Sequence, residues 1–223
     1  MQEEHVNGIF ITFEGPDGSG KTTQLKKIAQ ELQKLGHDVL VTREPGGTAI
    51  SDKIRSIILD PVNEEMVDQA EVLLYAASRA QHVHELILPA LKAGRIVLCD
   101  RFIDASVAYQ SYGLGVDIEM VKSISKYASS GLQATRTYMM DVPVEVSLER
   151  LNQRAGATEF TQQLDRIEQK NVDYHSRVRA GFHQIATDQP ERVIIIDANR
   201  DVECIAADIW QDCKQLLEEH ISV

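Results

Sequence analysis

The stretch that most constrains the fold is Phe10-Ile11-Thr12-Phe13-Glu14-Gly15-Pro16-Asp17-Gly18-Ser19-Gly20-Lys21-Thr22. A short apolar run ends in a glycine-rich turn, and the turn opens into Thr23-Gln24-Leu25-Lys26-Lys27-Ile28-Ala29, where apolar residues recur at helical spacing. Strand, loop and helix follow one another. The turn fits G-x-x-x-x-G-K-[ST], and a helix N-terminus entered through glycines aims several backbone N–H groups at one concave spot. Such a nest holds phosphate. Gly15, Pro16, Asp17, Gly18, Ser19, Gly20, Lys21, Thr22 and Thr23 are its candidate residues. Gly15, Gly18 and Gly20 allow close backbone approach, Lys21 reaches β- and γ-phosphates, and the Thr22 hydroxyl can ligate Mg²⁺. A glycine turn with an exposed lysine is the bland alternative, and the strand-to-helix context argues against it.

A chain of 223 residues that is 43% hydrophobic and 26% charged can bury one core, so a single domain over residues 1–223 suffices. Its formal net charge of -11 argues against a general nucleic-acid or anionic-membrane surface, which rewards an excess of Lys and Arg. A polyanion is therefore bound locally. Cys99, Cys204 and Cys213 lack metal-ligand spacing and suit a reducing compartment. Met1 to Asn7 is polar and acidic, unlike a basic-then-apolar leader, and no apolar run approaches the length of a membrane span. The expected location is the cytoplasm.

The first helix is expected from Gly20 to Leu35, stopped by Gly36. Val39 to Thr42 reads as a short buried strand, followed by the loop Arg43-Glu44-Pro45-Gly46-Gly47-Thr48 at a strand's carboxyl end, where ligands bind in open α/β sheets. Arg43 is there either an anion contact or a solvated loop arginine. Ile50 to Leu59 reads as an amphipathic helix, and Asn63 as the cap of a long helix from Glu64 to about Ala93. On that helix Tyr75 and Arg79 stand one turn apart, placed to address one planar base or to form an intrahelical cation–π pair. His82 and His84 read as surface or packing histidines.

Arg95 to Asp100 is a continuous apolar run ending in a carboxylate, the pattern of a central parallel strand whose last residue lies beside the phosphate loop and Mg²⁺. Asp100 and Arg101 are either a structural ion pair or part of the site. Ser106, Tyr109 and Gln110 follow on a helical segment near the same crevice. Asp117 is expected to cap a helix to about Ser130, Thr135 to Asp141 to be a strand, and Pro143 to open a helix carrying Arg150 and Arg154. The polar stretch Gly156 to Gln163 is either a lid or an exposed loop, Leu164 to Thr187 a long amphipathic segment, Val193 to Asp197 the last strand, and Val202 to Leu217 a closing helix. Five buried strands alternating with helices imply a doubly wound parallel sheet, an α/β fold with its site at the carboxyl edge.

Six blocks in this order, Gly15-Pro16-Asp17-Gly18-Ser19-Gly20-Lys21-Thr22-Thr23, Thr42-Arg43-Glu44-Pro45-Gly46-Gly47-Thr48, Ala70-Glu71-Val72-Leu73-Leu74-Tyr75-Ala76-Ala77-Ser78-Arg79, Asp100-Arg101-Phe102, Ala108-Tyr109-Gln110 and Asp165-Arg166-Ile167-Glu168, closely resemble bacterial thymidylate kinases. The resemblance runs from about residue 8 to residue 200. It implies the P-loop nucleoside-monophosphate kinase fold, transfer of phosphate from ATP to dTMP with Mg²⁺, and a homodimer. By the same resemblance Arg43 and Arg101 hold the dTMP phosphate, Asp17 reaches the sugar 3′-hydroxyl, and Tyr75 stacks on thymine. Arg79, Ser106 and Gln110 bond or border the base, and Tyr109 crowds the 2′ position. Tyr75 stands where phenylalanine is usual, and Ser106 where some relatives carry threonine. Some relatives place an arginine after the acidic residue of the phosphate loop, and here that position is Gly18. The missing cation would then come from a lid at about 150–166, from Arg154 or Arg166 ahead of Arg150, with Lys21, Asp100 and Arg101 completing the catalytic set. The rival readings are another nucleoside-monophosphate or deoxynucleoside kinase, and a nucleotide-switch binding module. The latter leaves the monophosphate arginines without a purpose.

Overall fold

The computed structural model describes residues 8–156 and 164–221. Five strands, β1 (Ile9–Glu14), β2 (Val39–Arg43), β3 (Ile96–Asp100), β4 (Arg136–Asp141) and β5 (Val193–Asp197), form one sheet in the order β2-β3-β1-β4-β5. Every pairing is parallel. Among the described residues the connections place nine α-helices around it: α1 (Lys21–Lys34), α2 (Ala49–Leu59), α3 (Asp68–His82), α4 (Leu88–Lys92), α5 (Ile103–Ser106), α6 (Ile118–Ala128), α7 (Val144–Gly156), α8 (Val172–Asp188) and α9 (Val202–Ile221). This is the doubly wound sheet expected from the alternation of strand and helix patterns.

The period of two in β1 divides its side chains between two cores. Ile9, Ile11 and Phe13 pack with Leu25, Ile28 and Leu32 of α1 and with Ile205 and Ile209 of α9. Phe10 points the other way, into a cluster with Val83, Ile87 and Leu91. A buried Ile, Leu or Phe contributes roughly 1.5–3 kcal/mol, so the central strand is anchored from both faces. The sequence reading of five buried strands needs correction at the edges. In β2 and β5, Val41 is 44% and Ile195 45% exposed, because each strand has a neighbour on one side only.

Two helix boundaries also differ. Asn63 does not cap α3: its amide donates to Ile57 O and its backbone N–H to Asp60 O, which makes it part of a turn. The helix starts at Asp68 after Val67 and, rather than continuing unbroken to Ala93, passes through a π-helical turn at Val83–Ile87 before α4. After Leu164 the chain turns until Asn171, whose side chain caps α8 by accepting from Tyr174 N. Asp117 does cap α6, accepting from Met120 N at 2.8 Å.

A second π-helical turn, Val107–Gly113, carries Tyr109 and Gln110 and lies against α8. The approach is close enough that a Cβ on Gly113 would fall 2.6 Å from the Tyr174 ring, and one on Gly181 2.6 Å from the Tyr112 ring.

Candidate active site

β1 is the central strand, and the chain leaves it toward both edges of the sheet, so a crevice opens at its carboxyl end. The glycine-rich turn sits there. Gly15 has φ 126°, and a Cβ on it would lie 2.3 Å from Met140 O at the end of β4. Gly18 has φ 75°, and a Cβ there would meet Ser147 O at 2.8 Å. Only glycine lets the loop wrap this tightly, and the loop is stitched to α7 besides: Ser147 Oγ donates to Asp17 O, and Arg150 Nη1 to Gly18 O at 3.3 Å.

At the mouth of α1 the Lys21 ammonium donates to Pro16 O at 2.7 Å, and Thr22 Oγ1 donates to Asp100 Oδ2. Burial, aided by repulsion from Arg101, brings Lys21 down to about 8 against the pull of Asp17, Asp100 and Glu14. A polyphosphate would add to that pull and restore the ammonium. Ser19 is buried, and among the described residues its hydroxyl has no partner.

Arg101, directly after β3, joins the phosphate loop to the helical wall. Its backbone adopts φ 72°, uncommon for a residue with a Cβ. The guanidinium donates to Gly15 O at 2.9 Å, Asp17 Oδ1 at 2.6 Å and Tyr109 OH at 3.0 Å, and Tyr109 OH donates to Asp17 Oδ2 at 2.9 Å. Burial alone would raise the Asp17 carboxyl, but Arg101 and Lys21 together hold it well below the usual carboxylate range. Glu14 Oε1 accepts from Phe102 N, pinning the residue after Arg101.

A pocket adjoins this triangle, lined by Asp17, Tyr75, Arg79, Arg101, Ser106, Tyr109 and Gln110, and so brings together seven of the eight residues expected around the substrate. Arg43 is the eighth. It ends β2 half exposed, with Nη2 3.1 Å from Asp52 Oδ1, and does not line the pocket. Arg55 lines it, its Nη1 donating to Pro45 O at 2.9 Å. Sequence reasoning missed Arg55, which on α2 reads as one more solvated charge. It also gave no role to Glu44, Phe102, Asp165 and Ile167, which line the pocket too. All four sit in the blocks that carried the resemblance. Burial pushes the Asp165 carboxyl up to about 6, with Glu168 adding to it.

The expected lid arginines separate. The stretch at 157–163 lies outside the described residues. Arg154 of α7 is 54% exposed at its side chain and pairs with Glu168. Arg150 reaches Ala198 O at 3.4 Å as well as the phosphate loop. Arg166 requires a correction: it is 6% exposed, with Nε donating to Ile58 O at 2.9 Å and Nη2 to Glu71, itself 1% exposed. Leaving Ile58 O and Glu71 would strand a buried carboxylate, so in this structure Arg166 stands as a brace of α3 against α2.

A sequence model of the family described as thymidylate kinase matches residues 13–209. The chain belongs to the thymidylate kinase family. It is 50% identical over 214 residues to the thymidylate kinase of Exiguobacterium sibiricum, covering 96% of this chain and 98% of the relative. It is also 50% identical over 200 residues to that of Geotalea uraniireducens, covering 88% and 92%. The crystal structure of thymidylate kinase from Ehrlichia chaffeensis superposes with a TM-score of 0.73 at 30% identity, over 93% of this chain and 98% of that one. The phosphate loop and the pocket meet at one residue, Asp17, which belongs to both.

Proposed function

We propose that the crevice between the phosphate loop and the pocket at Asp17 holds the two nucleotides end to end, with their reacting phosphates beside Lys21 and Arg101. Membership of the family gives the activity: ATP-dependent phosphorylation of dTMP to dTDP, in dTTP synthesis. The observation that carries the assignment of residues is the contact of Arg101 with both Gly15 O and Asp17, which ties the pocket wall to the nest.

Phosphoryl transfer asks mainly for positioning and charge neutralisation. The backbone nest from Gly15 to Thr23 cradles the ATP phosphates, with Lys21 as the cation of the loop. Arg101 receives the dTMP phosphate, and Arg43 and Arg55 stand at the rim as further cations. Tyr75 and Phe102 flank the base, Arg79, Ser106 and Gln110 border its edge, and Asp17 and Tyr109 face the sugar. The dTMP phosphate is already an anionic nucleophile, so no strong base is needed. Arg154 is the available lid cation of a segment spanning about 150–166 within one domain.

Thr22 and Asp100 fit Mg²⁺, since one hydroxyl and one carboxylate in contact are the hard oxygen donors it takes alongside phosphate and water. When bound, it neutralises charge on the transferring phosphates. Among the described residues no group of three His, Cys, Asp or Glu could hold a metal, which fits a cation carried mostly by the nucleotide.

A homodimer is supported by an apolar face on α3 and α6, where Leu73, Ala77, Ala80, Ile124 and Tyr127 lie together and Tyr127 is 89% exposed. No helix among the described residues is long and apolar enough to cross a membrane. Free Cys99, Cys204 and Cys213 suit the cytoplasm. The test of the assignment is ATP-dependent phosphorylation across dTMP, dUMP, dCMP, dGMP, UMP and AMP. Preference for dTMP supports it, and equal or better kcat/KM with AMP or dCMP overturns it.

A further inference from the structure

We infer that Glu44, backed by His82 and Thr42, is a specificity-determining positioning residue that fixes how Arg79 presents its uncommitted N–H to the base. The inference rests on the reading that Arg79 borders the base edge.

Arg79 is 2% exposed and Glu44 4%. A guanidinium has five N–H groups in a rigid fork. Here Nε donates to Glu44 Oε2 at 2.8 Å, Nη2 to Phe102 O at 3.1 Å and Ser106 Oγ at 2.9 Å, and Nη1 to Ser125 Oγ at 3.1 Å. Among the described residues one N–H, on Nη1, is left without an acceptor, and the fork borders the pocket with Tyr75 and Gln110.

Glu44 does not grip the fork with both oxygens, as an ordinary Arg–carboxylate pair would. Its second oxygen, Oε1, lies 3.1 Å from His82 Nδ1, and His82 Nε2 lies 2.7 Å from Thr42 Oγ1. The chain is satisfied end to end when the Thr42 hydroxyl donates to Nε2 and Nδ1–H donates to Glu44. His82 is fully buried and so is the line of contacts. Glu44 is itself fixed, because its backbone N–H extends the sheet to Asp100 O at 2.9 Å. Glu44 holds the guanidinium at its Nε edge only, and Phe102 O, Ser106 and Ser125 take the Nη side, so the fork cannot turn about its long axis.

This orientation has a chemical consequence. A fixed N–H donor suits a pyrimidine with a carbonyl at position 4, whereas a cytosine presents an amino group there, donor against donor. A site built to hydrogen-bond one partner rejects the other because its buried donor would be left unpaired. With the Glu44 charge removed, the fork keeps only the neutral acceptors Phe102 O, Ser106 and Ser125, yields more readily before the amino group, and the penalty falls.

The experiment compares kcat/KM for dTMP and dCMP in wild type, Glu44→Gln, His82→Gln and Arg79→Lys, with ATP KM and thermal unfolding measured alongside. The expected result is a dTMP-to-dCMP ratio reduced at least about tenfold in Glu44→Gln, with a smaller drop in His82→Gln. Both changes appear in the KM for the monophosphate, with kcat and ATP KM nearly unchanged. His82→Gln alone decides the matter should Glu44→Gln not fold. An unchanged ratio in the folded variants, with loss in Arg79→Lys, overturns the role of Glu44. An unchanged ratio in Arg79→Lys overturns the base reading of Arg79, and the inference falls with it.

Discussion

Arg101 and Asp17 are 84 positions apart in the chain, and Arg101 Nη2 lies 2.6 Å from Asp17 Oδ1. Arg101 reaches that contact from a left-handed backbone, which costs on the order of 1 kcal/mol and persists because Gly15 O, Tyr109 and the capture of Phe102 N by Glu14 all favour it. The guanidinium is thus aimed before any phosphate arrives.

Arg101→Lys should therefore lose more than its conserved charge suggests, since an ammonium cannot serve Gly15, Asp17 and a phosphate at once. We expect kcat/KM for dTMP to fall by about 10² or more while the affinity for ATP changes little. Steady-state kinetics with each nucleotide varied in turn measures this, and an equal loss for both substrates would show a general collapse of the site.

Lys21→Ala removes the cation that the phosphate loop contributes. The expected effect is a drop in kcat on the order of 10² or more, larger than any change in KM for dTMP. Single-turnover measurements isolate the chemical step, and retention of wild-type kcat would exclude Lys21 as the phosphate lysine.

Arg154 and Arg166 make opposite predictions. Arg154→Ala breaks a pair with a half-exposed guanidinium and should change stability by no more than about 1 kcal/mol while depressing kcat more than either KM. Arg166→Ala strands Glu71 and should cost about 3–5 kcal/mol. Replacing Glu71 by Gln in the same chain should recover part of that loss. Urea unfolding together with kcat separates the brace from the lid cation.

Asp165 gives a pH signature. Its native value, about 6, lies above the roughly 3.9 of an unfolded Asp, so between these values the native state binds more protons. Stability contributed by this group is present below about pH 4 and declines as pH rises toward 6, by on the order of 2 kcal/mol. Asp165→Asn should remove that slope from urea unfolding measured between pH 4 and 7. An identical slope in the variant would assign the titration to another group.

The fold was legible where physics is local. Continuous apolar runs marked Ile96–Asp100 and Val193–Asp197, and the glycine spacing marked the nest. What escaped was decided by distant partners. Nothing near Arg166 in the chain announces Glu71, 95 positions away, so a buried brace read as a lid cation. Asn63 has the chemistry of a cap but spends its amide on Ile57 O. Arg79 stood correctly beside Tyr75 on its helix, yet the carboxylate and the carbonyl that orient it come from Glu44 and Phe102, on other segments.

The stitching of the phosphate loop to α7 makes the two move as one body. Ser147 and Arg150 hold loop carbonyls, and the carbonyl of Ser147 leaves no room for a side chain at Gly18, so a displacement of the loop is transmitted to the helix one turn below Arg154. A nucleotide that fills the loop would accordingly be felt along α7 as slower amide exchange.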